Sequence, residues 1–150
     1  MGAANTAEHG SLSPEGNDLV KVAVVDLDFL RTLMDQQELV VFAYLFGSHA
    51  RGDSSTLSDL DIAAYFRGGS ILAWHEWRMR LYLALSRGLG INDIDIVVLN
   101  TASNLIVLDA IIRSGIILVD REPDERANFE LRVLHQAIDF KTQRRAFLGV

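Results

Sequence analysis

The chain has no cysteine, and its 150 residues include only two prolines and four histidines. Without cysteine there are no disulfides and no thiolate metal sites, and the scattered histidines show no zinc-ligand spacing. Any metal bound here is therefore expected to be a hard cation held by oxygen. No apolar run reaches the roughly 20 residues of a membrane-spanning helix, and the N-terminus lacks a basic start followed by an apolar signal core. A cytoplasmic protein is expected. Positive charge never forms a block, and a net charge of −6 would repel a polyphosphate backbone, so nucleic acid is a poor first choice of acceptor. The length fits one domain, and a chain of this size buries about 68 to 70% of its unfolded surface. It needs no covalent staples.

What is present centres on the stretch from Leu45 to Phe66. The apolar run Val40 to Phe46 has strand length and stops at Gly47-Ser48, a residue without a side chain followed by a hydroxyl that can cap a helix or touch a phosphate. A short helix beginning near Ser48 or His49 would aim backbone N–H groups at an anion. Arg51 either reinforces that positive end or makes a surface salt bridge, for instance with Asp53, and His49 is expected on the surface. About ten residues after Ser48, Asp59 and Asp61 open a second apolar run to Phe66. Strand side chains alternate, so these two carboxylates share a face while Leu60 and Ile62 point to the other. Their Cα atoms would lie roughly 6.6 Å apart at about 3.3 Å per residue, close enough for the side chains to converge on one Mg²⁺ or on two ions. A phosphate cradle beside a site for divalent cations suggests nucleotide chemistry.

Gly-Ser, a spacer and Asp-x-Asp together resemble the signature of the DNA polymerase β nucleotidyltransferase superfamily. The resemblance implies an α/β fold with a small mixed sheet flanked by helices, and a third carboxylate on a neighbouring strand. Asp95, in the segment Asp93 to Asn100, matches that position because it directly precedes an apolar run. Asp93 shares its strand face and competes for the role, but reads more simply as a solvated strand entry beside the Gly88-Leu89-Gly90 turn. The length and C-terminal pattern narrow the resemblance to the minimal nucleotidyltransferases, the short antitoxins that accompany HEPN-domain toxins, from about Asp26 to the end.

Elsewhere the reading is of scaffold. Residues 1–17 have no apolar period and are expected to form a tail, leaving 18–150 as the domain. Leu19 to Val25 would make a short strand or helix lead-in. Asp26 is placed to cap a helix with Phe29, Leu30, Leu33 and Met34 buried. The loop Gly52 to Ser58 is polar. Ser70 offers a cap for a long helix with Trp74, Trp77, Leu81, Ala84 and Leu85 on one stripe, punctuated by Gly88 and Gly90. Asn100-Thr101 lead into a helix whose stripe uses Leu105, Leu108, Ile111 and Ile112 before Gly115. A strand from Ile116 to Val119 follows, and Pro123 suits the first turn of a last helix. That helix carries two apolar stripes, Ala127, Leu131, Leu134 and Ile138 against Phe129, Val133, Ala137 and Phe140, with Phe147 and Leu148 beyond. One core cannot easily bury both.

The function implied by the resemblance is transfer of AMP from ATP to a tyrosine hydroxyl of a HEPN-domain RNase, which silences that toxin within a hetero-oligomer. Asp59 and Asp61 would hold two Mg²⁺, Asp95 would complete the catalytic ion and help deprotonate the acceptor, and Gly47, Ser48 and Arg51 would bind the triphosphate. The competing reading is an antitoxin that works by binding alone, its site idle or sensing nucleotide. An antibiotic nucleotidyltransferase fits less well, because nothing follows the core to form a separate substrate-binding domain.

Overall fold

The computed structural model describes residues 25–52 and 59–148. The expected tail over 1–17, nearly all of the lead-in before Val25 and the loop residues 53–58 lie outside them. Helix α1 (Leu27–Asp35) starts on Asp26, whose Oδ1 accepts a hydrogen bond from Phe29 N at 3.2 Å. It ends at Gln36, and strand β1 (Val40–Phe46) follows. A single helical turn, α2 (Ser48–Arg51), leads towards β2 (Leu60–Phe66). The long helix α3 (Ile71–Leu89) is capped by Ser70, as its sequence predicts, and β3 (Ile94–Val98) follows it. Helix α4 (Leu105–Ser114), strand β4 (Ile116–Asp120) and helix α5 (Pro123–Leu148) complete the described chain. No described helix is long and apolar enough to cross a membrane.

The four strands form a mixed sheet in the order β3-β2-β1-β4. Strand β1 pairs antiparallel with both β2 and β4, whereas β2 and β3 run parallel, joined by the α3 crossover. β1 reads as an uninterrupted apolar run because it is an inner strand with helices over both faces. All of it except Phe46 is buried. One face packs Ala43, Leu45, Leu60 and Ile62 against Leu30 and Met34 of α1 and Leu81 and Leu85 of α3. The other packs Phe42, Tyr44 and Ala63 against Leu108 and Ile111 of α4 and Phe129 and Val133 of α5. The small mixed sheet with flanking helices is thus the observed architecture.

Several local expectations are corrected. Phe29 is 44% exposed rather than part of the α1 stripe, since the sheet needs only the side carrying Leu30 and Met34. Gly88 lies within α3 rather than stopping it; a Cβ there would come 2.7 Å from Leu33 Cδ1, so its bare backbone lets α1 and α3 approach. The stop is Gly90, in the left-handed region at φ 70°. Helix α4 is capped by Asn104 rather than entered from Asn100. Asn100 instead extends the pairing of β2 with its side chain, accepting from Phe66 N at 2.8 Å and donating to Phe66 O at 3.0 Å. Arg121 ties β4 to the α1–β1 connection, donating to Val40 O at 2.9 Å and Asp35 O at 2.8 Å.

The two stripes of α5 have different fates. Phe129, Val133 and Ala137 are buried, while Leu131 and Ile138 are each 54% exposed. Beyond Ala137 every described residue of the helix is exposed, Phe140 and Phe147 included.

Candidate active site

The site is built at the end of the sheet where β1 finishes and β2 and β3 begin. Antiparallel pairing sets Phe46 opposite Asp61, so the turn at Gly47 passes directly over the Asp61 carboxylate. A Cβ on Gly47 would collide with Asp61 Oδ2 and come within 3.2 Å of its Cγ. Gly47 also has φ 75° and ψ −154°, a conformation that side-chain-bearing residues rarely adopt. Two independent constraints therefore require glycine here, close approach and backbone angle.

Parallel pairing of β2 with β3 puts Asp61 in register with Asp95. Neighbours in register project to the same face of a sheet, so these carboxylates are side by side. Asp59 precedes β2 by one residue and is exposed, as is Asp95, whereas Asp61 is half-buried. Burial first, then the charges of Asp95 and Asp59, raises the pKa of Asp61; the charges of His49 and Arg51 oppose that rise. Three acids and two bases thus act on one another across the Gly47 turn. Asp93 lies two residues before the in-register position, and its carbonyl accepts from Leu60 N at 2.8 Å. The in-register position belongs to Asp95.

Ser48 and His49 are half-buried in α2, and Arg51 is exposed at its end. Gly47, not Ser48, occupies the N-cap position and makes no side-chain cap bond, so the Ser48 hydroxyl is not used for capping. His49, expected on the surface, is half-buried, and its charge acts on Asp61. The signal for it was its place in the single turn that follows Gly47. With only four residues, α2 has too few aligned peptides for a substantial dipole. Its turn offers close approach and fixed charge instead.

The carboxylates are hard oxygen donors of the kind Mg²⁺ takes, and two come from paired strands. Among the described residues, no three acidic or histidine side chains are already gathered as a metal-holding group. The fit is one of donor type and backbone placement, with side-chain convergence still required. Chemically, the carboxylates could take up divalent cations, and a carboxylate oxygen could accept a proton.

Comparison with known proteins bears on this geometry. A search of curated proteins finds no significant match. Among solved structures, a crystal structure of a toxin–antitoxin pair with AMP-PNP is similar to 83% of this chain and 97% of its own, with 23% identity and a TM-score of 0.64. A mutant MntA–HpeT toxin–antitoxin structure gives 21% identity and a TM-score of 0.66 over the same shares, 83% and 97%. The tri-AMPylated Shewanella oneidensis HEPN toxin in complex with its MNT antitoxin gives 19% and 0.59, again over 83% and 97%. At these identities the likeness is one of fold. The model of the polymerase beta nucleotidyltransferase domain matches residues 29–124, which run from α1 through the Gly47 turn, Asp59, Asp61 and Asp95 to the start of α5. With most of its length matched by that model, this chain belongs to the polymerase beta nucleotidyltransferase family.

Proposed function

We propose that this chain is a Mg²⁺-dependent protein adenylyltransferase that acts as an antitoxin, moving AMP from ATP onto a tyrosine hydroxyl of a HEPN-domain RNase toxin and so silencing it. The observation that carries the reading is the close passage of Gly47 over Asp61, with Asp95 in parallel register beside it. The similar solved structures support the biological setting, since they are toxin–antitoxin pairs, one with AMP-PNP and one with an AMPylated HEPN toxin.

In this reading Asp59, Asp61 and Asp95 hold the cations, which when bound neutralise triphosphate charge and favour the ionised form of the attacking hydroxyl. The bare Gly47 backbone lets the triphosphate approach, the Ser48 hydroxyl donates to a phosphate oxygen, and Arg51 draws the anion in. A carboxylate oxygen of Asp95 accepts the tyrosine proton. The tyrosine oxygen then forms its bond to the α-phosphorus as the bond to the bridging oxygen of the β-phosphate breaks, releasing pyrophosphate.

The test is intact-mass spectrometry of a HEPN-domain toxin after incubation with this chain, ATP and Mg²⁺. Added AMP units that map to tyrosine support the proposal. Inhibition of the RNase with no mass change would overturn transfer and leave binding alone as the antitoxin mechanism.

A further inference from the structure

We infer that the outward face of α5 is a self-association surface, on which a second copy of this chain docks its own α5 in antiparallel orientation. The helix has 26 residues and so runs about 39 Å at about 1.5 Å per residue. Its two apolar stripes lie on nearly opposite sides. Phe129 and Val133 face the sheet, and Phe140 and Phe147 continue that side past the last buried residue, Ala137. Leu131 and Ile138 lie two turns apart on the side away from the sheet, with Leu134 between them and Asp124 and Ala127 ahead of them along the stripe. That pattern is the seam of a paired helix rather than the scatter of an ordinary surface.

Charge selects both the occupant and its direction. Asp124 and Glu125 sit in the first turn of α5, whereas Arg144 and Arg145 sit near its end. Asp124 and Arg145 make no ion pair with another described residue. With Leu131 of one copy set opposite Ile138 of the other, antiparallel pairing brings Asp124 opposite Arg145 of the second copy and Leu134 opposite its His135. The two-fold axis repeats each contact, as an isologous interface requires. Parallel pairing would set Asp124 against Asp124 and Arg145 against Arg145, repelling at both ends. Of the two orientations, the antiparallel one sets Leu131 against Ile138 and also acid against base. It leaves the Phe140 and Phe147 side uncovered, so self-association and capture of another protein use different sides of one helix.

Sedimentation equilibrium of the full chain tests this. The mass should rise with concentration from 16.7 kDa towards twice that value. Ile138→Glu should hold the chain at the monomer mass with an unchanged circular dichroism spectrum. Asp124→Arg should weaken dimerisation at least tenfold, and adding Arg145→Asp should restore it, because the reversed pair is again complementary. A monomer at every concentration overturns the inference, whether Ile138→Glu lowers the melting temperature, showing that the same chain covers the stripe, or releases a toxin, showing that the toxin does. A dimer indifferent to Ile138→Glu, or one that the double charge reversal fails to rescue, equally overturns it.

Discussion

At Asp61 the chain keeps a carboxylate half-buried beside two others, and burial together with the charges of Asp95 and Asp59 holds its pKa above the usual 3.8. The folded protein therefore binds that proton more tightly than the unfolded one does. Its destabilising effect is absent below the unfolded pKa and complete above the folded one, so this group lowers stability as pH rises through the interval. Asp61→Asn should consequently melt a few degrees higher near neutral pH, with the gain shrinking on acidification below the carboxylate range. The same variant should lose transfer by about a thousandfold, the worth of ~4 kcal/mol of transition-state stabilisation. Paired melts and single-turnover assays test both halves, and near-normal transfer in Asp61→Asn would remove it from the proposed site. Gly47 makes a second prediction at this scale. Gly47→Val should abolish ATP binding in calorimetry, because its Cβ displaces Asp61 and its φ of 75° becomes strained. Ser48→Ala loses one hydroxyl contact and should weaken binding by about tenfold or less. Equal affinity in both variants would place the nucleotide elsewhere.

Between elements, the join of α5 to the sheet depends on a polar chain. Tyr44 of β1 donates to Glu130 Oε2 at 2.6 Å, Arg126 reaches the same oxygen at 3.1 Å, and Arg126 Nε lies 3.0 Å from Asp120 Oδ1 at the end of β4. Burial and the bond to Glu130 push the Tyr44 phenol up, and the Asp120 contact helps hold the Arg126 charge in place. Tyr44→Phe leaves Glu130 still paired with Arg126 and should cost about 1 kcal/mol. Arg126→Met removes the ion pair of Asp120 and leaves Glu130 only the Tyr44 hydroxyl, and should cost roughly 2 kcal/mol or more, read as a shift in urea midpoint. Equal losses in the two variants would show that the chain does not act as a unit. None of this was legible in the sequence, because Tyr44 and Glu130 meet only after β1, β4 and α5 are assembled. Strand β1 was legible to the residue, since burial on both faces leaves a continuous apolar run. The acids of β2 and β3 were legible as same-face groups through strand alternation, whereas their register was not, because pairing is a tertiary fact. Gly88 was misread as punctuation, as a glycine that permits close approach looks the same in sequence as one that ends a helix. The effect of His49 on Asp61 was not legible, because it depends on tertiary proximity rather than on any spacing of its own.

At the scale of the whole molecule, α5 extends past its last buried residue and presents Phe140 and Phe147, 41% and 90% exposed, on the side that continues its core stripe. If the proposed function holds, this end is expected to dock the HEPN-domain toxin, with aromatic rings as anchors. Phe147→Glu should weaken co-purification with a HEPN-domain toxin at least tenfold while the isolated chain melts as before, because an unpaired charge is then forced into an apolar contact. Full complex formation by both Phe147→Glu and Phe140→Glu would refute that docking end. The order of the sheet has a consequence for how activity fails. Gly47 follows the end of one inner strand and Asp61 lies on the other, and inner core strands are expected to open last. Hydrogen exchange at Leu45 and Ile62 should therefore proceed only by global opening. In rising urea, adenylyl transfer should persist until the fold itself is lost, the two transitions sharing one midpoint.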